Sequence, residues 1–297
     1  MTNAGRRSST IEQYRERVQN VLDHIQADLD QVHSLDELAQ LACFSPFQFH
    51  RVFRGMVGEP VAEYIRRLRL ERAGLRLLQS RRTVTDIAFE AGYQNLESFI
   101  RAFRQRFGQP PSRFRRLREE QACRLFARDS LPGSSHFSSG GNMDVQIIHQ
   151  APRTVASVRY IGPYKNCGKA WEALCNWAGQ LGLIGPDTQF IGLCYDDPDV
   201  TPADKIRYDA CITLDRPVTP GKGVTVQEIP GGAFAKTLHL GPMEKLSETY
   251  VKLCGKWLPQ SGREMKHAPN LEIYLNDPDK TPPEELRIEI QLPLEDA

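Results

Sequence analysis

Phe49-x-Arg51-x-Phe53-Arg54-x-x-Val57-Gly58-x-Pro60 returns fifty residues later as Phe99-x-Arg101-x-Phe103-Arg104-x-x-Phe107-Gly108-x-Pro110. In the first copy Phe49, Val52, Phe53 and Met56 or Val57 fall at i, i+3, i+4 and i+7. That spacing makes one stripe of a helix apolar, and the stripe must pack inward. The opposite side carries Phe47, His50, Arg51 and Arg54. In the second copy Phe99, Phe103 and Phe107 form the stripe, and Glu97, Arg101 and Arg104 face outward. Each copy follows a short helical segment and a turn. Leu35, Leu38, Ala39 and Ala42 lead into Cys43-Phe44, and Val84 to Ala88 lead into Gly92-Tyr93. Glycine at the second turn tolerates a positive φ. A short helix, a tight turn and a second helix with a polar outer face describe a helix-turn-helix, here present twice. The N-terminal part of the second helix is what meets base edges in this motif.

The flanking residues give the boundaries. Ser34-x-x-Glu37 and Ser45-x-x-Gln48 are capping boxes that open helices over 35–42 and 46–57. Pro60 starts a helix that runs to Gln79. Thr83 and Asn95 are N-cap residues for two further short helices, and Pro110-Pro111 opens a last one. Residues 11–29 carry Val18, Val21, Leu22, Ile25 and Leu29 at helical spacing. The helix after Pro60 is roughly 30 Å long, close to the roughly 34 Å between successive major-groove faces of a duplex. One chain therefore suffices for two consecutive segments. Arginine suits guanine, glutamate accepts from cytosine, and an aromatic ring meets a thymine methyl. The candidate base contacts are Phe47, His50, Arg51, Glu97 and Arg101, and the candidate phosphate contacts are Ser45, Arg54, Ser98 and Arg104.

The net charge of +1 hides a division. Residues 1–128 hold 22 Arg, no Lys and 15 acidic residues, a net of +7, whereas residues 129–297 net −6. A basic half joined to an acidic half points to a nucleic-acid partner for the first alone. The sign changes across 129–142, DSLPGSSHFSSGGN, which reads as a flexible linker between domains 1–128 and 143–297. Seven scattered cysteines without a C-x-x-C argue against a disulfide framework and against a structural zinc site. No apolar leader and no 18-residue apolar run occur, so the expectation is a cytoplasmic protein with no membrane span.

The acidic half alternates strand and helix patterns. Strand formers cluster at 143–149, 153–160, 188–195 and 206–214, and a helical stripe of Trp171, Leu174, Ala178 and Leu181 lies within 165–181. The order then repeats. Gly162-Pro163 matches Gly241-Pro242, Asp197-Pro198-Asp199-x-Thr201-Pro202 matches Asp277-Pro278-Asp279-x-Thr281-Pro282, and Arg207 matches Arg287. The offset of about 80 residues defines a duplicated β-α-β-β unit. Two such units can join their sheets and leave a groove between them. Glu289, between Ile288 and Ile290 in a strand pattern, either faces water or is held inside that groove, where a desolvated carboxylate would attract a cation. Tyr164, Trp171, Tyr195 and Tyr274 are the aromatic candidates, whose faces add cation–π binding, with plain core the other reading of Trp171 on its helix's apolar stripe.

Residues 11–118 resemble the double helix-turn-helix DNA-binding domain of the AraC/XylS regulators, through Ile87-Ala88-x-x-x-Gly92-Tyr93, Phe99-x-Arg101-x-Phe103 and Gly108-x-Pro110-Pro111. The domain is N-terminal here, an order similar to the Rob type, whereas most members carry it last. The second half resembles the GyrI-like, SHS2-type effector-binding domain. The residues that carry this are Gly162-Pro163-Tyr164, Tyr195-Asp196-Asp197-Pro198, Lys205-Ile206-Arg207-Tyr208-Asp209, Glu272-Ile273-Tyr274-Leu275-Asn276 and Arg287-Ile288-Glu289-Ile290. The resemblances imply an all-α domain followed by an α+β domain of two repeats. They imply a transcriptional regulator that binds promoter DNA, a small-molecule effector and RNA polymerase, as a monomer or weak dimer, without metal or cofactor. Some relatives of the second domain are hydrolases, so the rival reading is a hydrolase of a toxic compound with Glu289 as general base. No nucleophile motif or phosphate loop accompanies it.

Overall fold

The computed structural model describes residues 3–117 and 143–296, and the linker expected at 129–142 lies outside the described residues. The chain divides into two compact units, Gln13–Ser138 and Ser139–Ala297 with Met1–Glu12.

The first unit is helical. α1 (Asn3–Ala27) is followed by α2 (Leu35–Leu41), α3 (Pro46–Val57), α4 (Val61–Gln79), α5 (Val84–Glu90), α6 (Leu96–Phe107) and α7 (Pro111–Phe114). The caps are those the sequence announces. Ser34 and Ser45 close capping boxes with Glu37 and Gln48, and Thr83 and Asn95 accept from the amides of Asp86 and Ser98. Gly58 and Gly108 end α3 and α6 in left-handed conformations, φ 90° and 73°. Gly92 takes φ 84° at the second turn, and Cys43 takes φ 55° at the equivalent place in the first.

The duplicated stripes build two equivalent cores. Phe49 and Phe53 pack at 5.4 Å between ring centroids, and Phe99 and Phe103 repeat that spacing at 5.4 Å. Around the second pair lie Leu70, Ala73, Leu77, Ile87, Phe107 and Phe114. α4 serves both cores. Its Tyr64 meets Phe53 edge-on at 5.9 Å, while Leu70 and Leu77 enter the second cluster. Arg67 ties Glu59 (2.7 Å) to Glu71 (3.2 Å), and Arg106 of α6 reaches the same Glu71 at 2.9 Å. Gln26 of α1 donates to the Tyr64 hydroxyl at 2.7 Å, and Arg69 donates to the Leu29 and Gln31 carbonyls at 2.9 and 2.8 Å. These links hold the two helix-turn-helix elements at a fixed spacing along α4, about 28 Å for its length.

In the second unit the described residues form one antiparallel sheet of eight strands. These are β1 (Gln146–Gln150), β2 (Arg153–Ile161), β3 (Phe190–Cys194), β4 (Arg207–Thr213), β5 (Thr225–Ile229), β6 (Gly232–Leu240), β7 (Asn270–Tyr274) and β8 (Arg287–Pro293). α8 (Gly168–Gln180) joins β2 to β3. α9 (Leu246–Lys252) runs through a π-helical turn, Leu253–Trp257, into α10 (Leu258–Ser261) before β7.

The order β1-β6-β8-β7-β3-β4-β2-β5 is symmetric about the β7–β3 pair. Each repeat carries one strand more than the β-α-β-β unit expected. That first strand, β1 or β5, pairs with the other repeat, β1 on β6 and β5 on β2. The exchange interlocks the duplicated halves. Val155 and Ile229 from one end of the sheet and Phe234 from the other share one cluster with Ile191, Leu193, Leu271 and Ile273. Strands far apart in the order meet there only because the sheet curls. The opposite face carries α8, whose Ala170, Leu174 and Ala178 pack on Ala156, Ala210 and Ile212.

Candidate functional site

The nucleic-acid side is built from α3 and α6. Ser45 caps α3, its hydroxyl accepting from the Gln48 amide at 3.2 Å. The Arg51 guanidinium lies over the Phe47 ring, 4.1 Å from its centroid. His50 and Arg51 are buried, and Phe47 and Arg54 are half-buried. The stacked ring accounts for part of the Arg51 burial. On α6 Glu97, Arg101 and Arg104 are exposed, while the Ser98 amide donates to the Asn95 side chain at 2.8 Å. Arg101 and Arg104 thus sit one helical turn apart on a face opposite Phe99 and Phe103.

The second site lies on the helix-bearing face of the sheet, over the central strands β3 and β7. Gly192 stands directly opposite Glu272 in the β3–β7 register, and Cys194 opposite Tyr208 in β3–β4. Residues opposite each other in a sheet share a face. Gly192 leaves the space that the Tyr208 ring fills. A Cβ at Gly192 would lie 2.5 Å from the Tyr208 hydroxyl and 2.8 Å from its ring.

Hydrogen bonds run across this face in one sense. The Trp171 indole N–H donates to the Tyr208 hydroxyl at 3.0 Å, and the Tyr208 and Tyr274 hydroxyls are bonded at 3.1 Å. Tyr274 donates to one Glu272 oxygen at 3.4 Å, and Tyr250 of α9 donates to the other at 3.0 Å. The Trp171 ring meets Tyr274 edge-on at 5.5 Å, and Tyr164 meets Tyr208 edge-on at 5.8 Å. Glu272 is 8% exposed. Burial raises Tyr208 and Tyr274 well above the ordinary tyrosine range, with Tyr274 and Glu272 respectively as the next causes. Both phenols therefore remain donors at any physiological pH. Burial also pushes the nearby Cys167 thiol up to about 11, with the Glu272 charge as the second cause. The arrangement is a carboxylate beneath aromatic walls, with phenol protons aimed at it.

Of the residues expected in the groove, Tyr164, Trp171 and Tyr274 come together here. Glu289 and Tyr195 do not. Glu289 stands opposite Ile273 and Leu238, on the other face of the sheet. There it pairs with Lys236 at 2.7 Å and accepts from Gln291 at 2.7 Å. Its neighbours Ile288 and Ile290 are buried against the helix-bearing face, so alternation turns Glu289 away from it. The Tyr195 hydroxyl donates to Asp209 at 2.9 Å, and its ring lies under Arg159 at 4.6 Å. Asp209 also takes a bond from Arg159 at 2.8 Å and is 2% exposed, a closed structural network. Glu272, Tyr250 and Tyr208 are the residues that reasoning from sequence passed over. The signal was available in parity, because Glu272 and Tyr274 are two apart on one strand and so share a face.

Gly192→Ala should displace the Tyr208 ring, which is itself buried. We expect a loss of about 1–3 kcal/mol in stability. Thermal unfolding followed by intrinsic tryptophan fluorescence reads it; an unchanged melting temperature contradicts the packing described.

Comparison with known proteins gives the class. The GyrI-like small molecule binding domain matches residues 143–295 and a helix-turn-helix domain matches residues 38–117. The chain belongs to the GyrI-like family and carries an AraC-type helix-turn-helix domain ahead of it. It is a DNA-binding transcriptional regulator with a small-molecule-sensing domain. The probable transcriptional regulator YgiV of Escherichia coli (strain K12) is 31% identical over 120 residues, 40% of this chain and 75% of that protein. The HTH-type transcriptional regulator YbfP of Bacillus subtilis (strain 168) is 34% identical over 145 residues, 46% of this chain and 49% of that one. The transcriptional regulator Rob of Salmonella typhimurium is 32% identical over 105 residues, 35% of this chain and 36% of that one. No helix among the described residues is long and apolar enough to cross a membrane.

Proposed function

We propose that the effector is a hydrophobic cation, bound over Glu272 between α8 and α9 and released unchanged. The observation that carries this reading is the convergence of Tyr250 and Tyr274 on a carboxylate 8% exposed, beside Trp171. A desolvated carboxylate attracts a cation, and aromatic faces add to the attraction. The relatives named as regulators support sensing over turnover. Prolonged incubation of the protein with tetraphenylphosphonium, followed by chromatography, should return the compound intact; a product that accumulates with time would establish hydrolysis instead.

On the DNA side α3 and α6 read consecutive major-groove segments, with Phe47, His50 and Arg51 in one and Glu97 and Arg101 in the next. Ser45, Arg54, Ser98 and Arg104 hold the phosphates. One monomer suffices for an asymmetric site, in the cytoplasm, and the effector biases DNA binding or contact with RNA polymerase. Such a bias requires unequal affinity of the ligand for two states. Footprinting should show two protected segments about ten base pairs apart for each bound monomer; a two-fold symmetric site that takes two chains contradicts the reading.

A further inference from the structure

Asn270 opens β7 two residues before Glu272 and shares its face of the sheet, with Cys194 opposite it across β3. It is 1% exposed, and neither Oδ1 nor Nδ2 has a hydrogen-bond partner among the described residues. A buried primary amide without partners is unusual, because an apolar side chain of the same size would be more stable there. The internal repeat sharpens the point. The eighty-residue offset places Asn270 where the first repeat has Phe190, whose ring packs on Trp171 at 6.1 Å. The second repeat therefore holds a donor and an acceptor at a position the first fills with an aromatic.

We propose that Asn270 determines which ligands the cleft accepts, by pairing its amide with an amide-like group on the apolar body of a cation held at Glu272. This rests on the cleft reading above. Alternate residues of a strand lie about 7 Å apart, so the ligand carries its polar group roughly that far from its charge.

The test is calorimetry on the full chain with two probes, benzyltriphenylphosphonium and its 4-carbamoyl derivative. The second adds one primary amide across a benzene ring from the charged end. The natural protein should bind the carbamoyl probe about tenfold more tightly, since a site built to pair with a polar group discriminates against a ligand that lacks it. Asn270→Leu keeps the size and removes both polar groups. It should lose the preference, hold the parent probe within about twofold, and melt no lower. If that variant melts lower, Asn270→Ala, which also lacks both the donor and the acceptor, should lose the preference as well. Equal affinity of the natural protein for both probes overturns the proposal, and so does a preference that survives in Asn270→Leu. If neither probe binds the natural protein, or if Glu272→Gln binds both as well as the natural protein does, the cleft reading falls and this one falls with it. If Glu272→Gln loses both probes while Asn270→Leu keeps the preference, the cleft stands and only the role of Asn270 is lost.

Discussion

Glu272→Gln should weaken the binding of tetraphenylphosphonium by about 3 kcal/mol, roughly a hundredfold in Kd, while Glu289→Gln should leave it within about twofold. The two substitutions remove the same charge from strands that are neighbours in the sheet, β7 and β8. What separates them is the face. Glu272 receives the Tyr250 and Tyr274 hydroxyls beside Trp171. Glu289 is already paired with Lys236 and Gln291 on the opposite face. Glutamine keeps the shape of Glu272 and an acceptor for the phenols, so the variant should fold and melt normally. A lost affinity then reports the missing charge and not a missing domain. Isothermal titration of the three proteins decides it, and equal losses in both variants would mean a long-range effect of net charge.

The second large effect concerns α6. Arg101→Ala should reduce specific DNA affinity by about 1–3 kcal/mol and relax the preference at one base position. Arg104→Ala, one turn further on, should weaken all sequences alike and lower the salt slope by about one unit. Both arginines are exposed, so neither change should alter the melting temperature. Arg106 is the control. Its side chain is 10% exposed and bonded to Glu71 across to α4. Arg106→Ala should therefore lower stability and affect DNA binding only through it. Mobility shifts over a salt series, on a cognate and a scrambled duplex, separate the three. Identical behaviour of Arg101→Ala on both duplexes would remove Arg101 from the base-reading set.

The helical half of the fold was legible because its determinants are local. Ser34, Ser45, Thr83 and Asn95 cap helices that begin at the next residue, and Gly58 and Gly108 stop them. Periodicity identified the apolar stripes, and the fifty-residue repeat identified the second core as a copy of the first. The second half was legible in its first strands, its helix and its repeat, but not in its strand pairing. Its strand exchange joins Gln146–Gln150 to residues some ninety positions on, through pairs such as Ile147 with Ala235. Nothing in the local pattern of a short strand names a partner that distant. The same non-local register decides which carboxylate meets the aromatics. Alternation along one strand separates Glu289 from Ile288, but only the β3–β7 pairing brings Glu272 to Gly192 and into the reach of Tyr250.

We place the ligand over Glu272. A crystal structure of the full chain soaked with tetraphenylphosphonium tests this placement most directly. The cation should lie against Trp171 and Tyr274, with Glu272 as its nearest carboxylate. A cation seated on the curled face beside Glu289 and Lys236, with the Glu272 face unchanged, would contradict it.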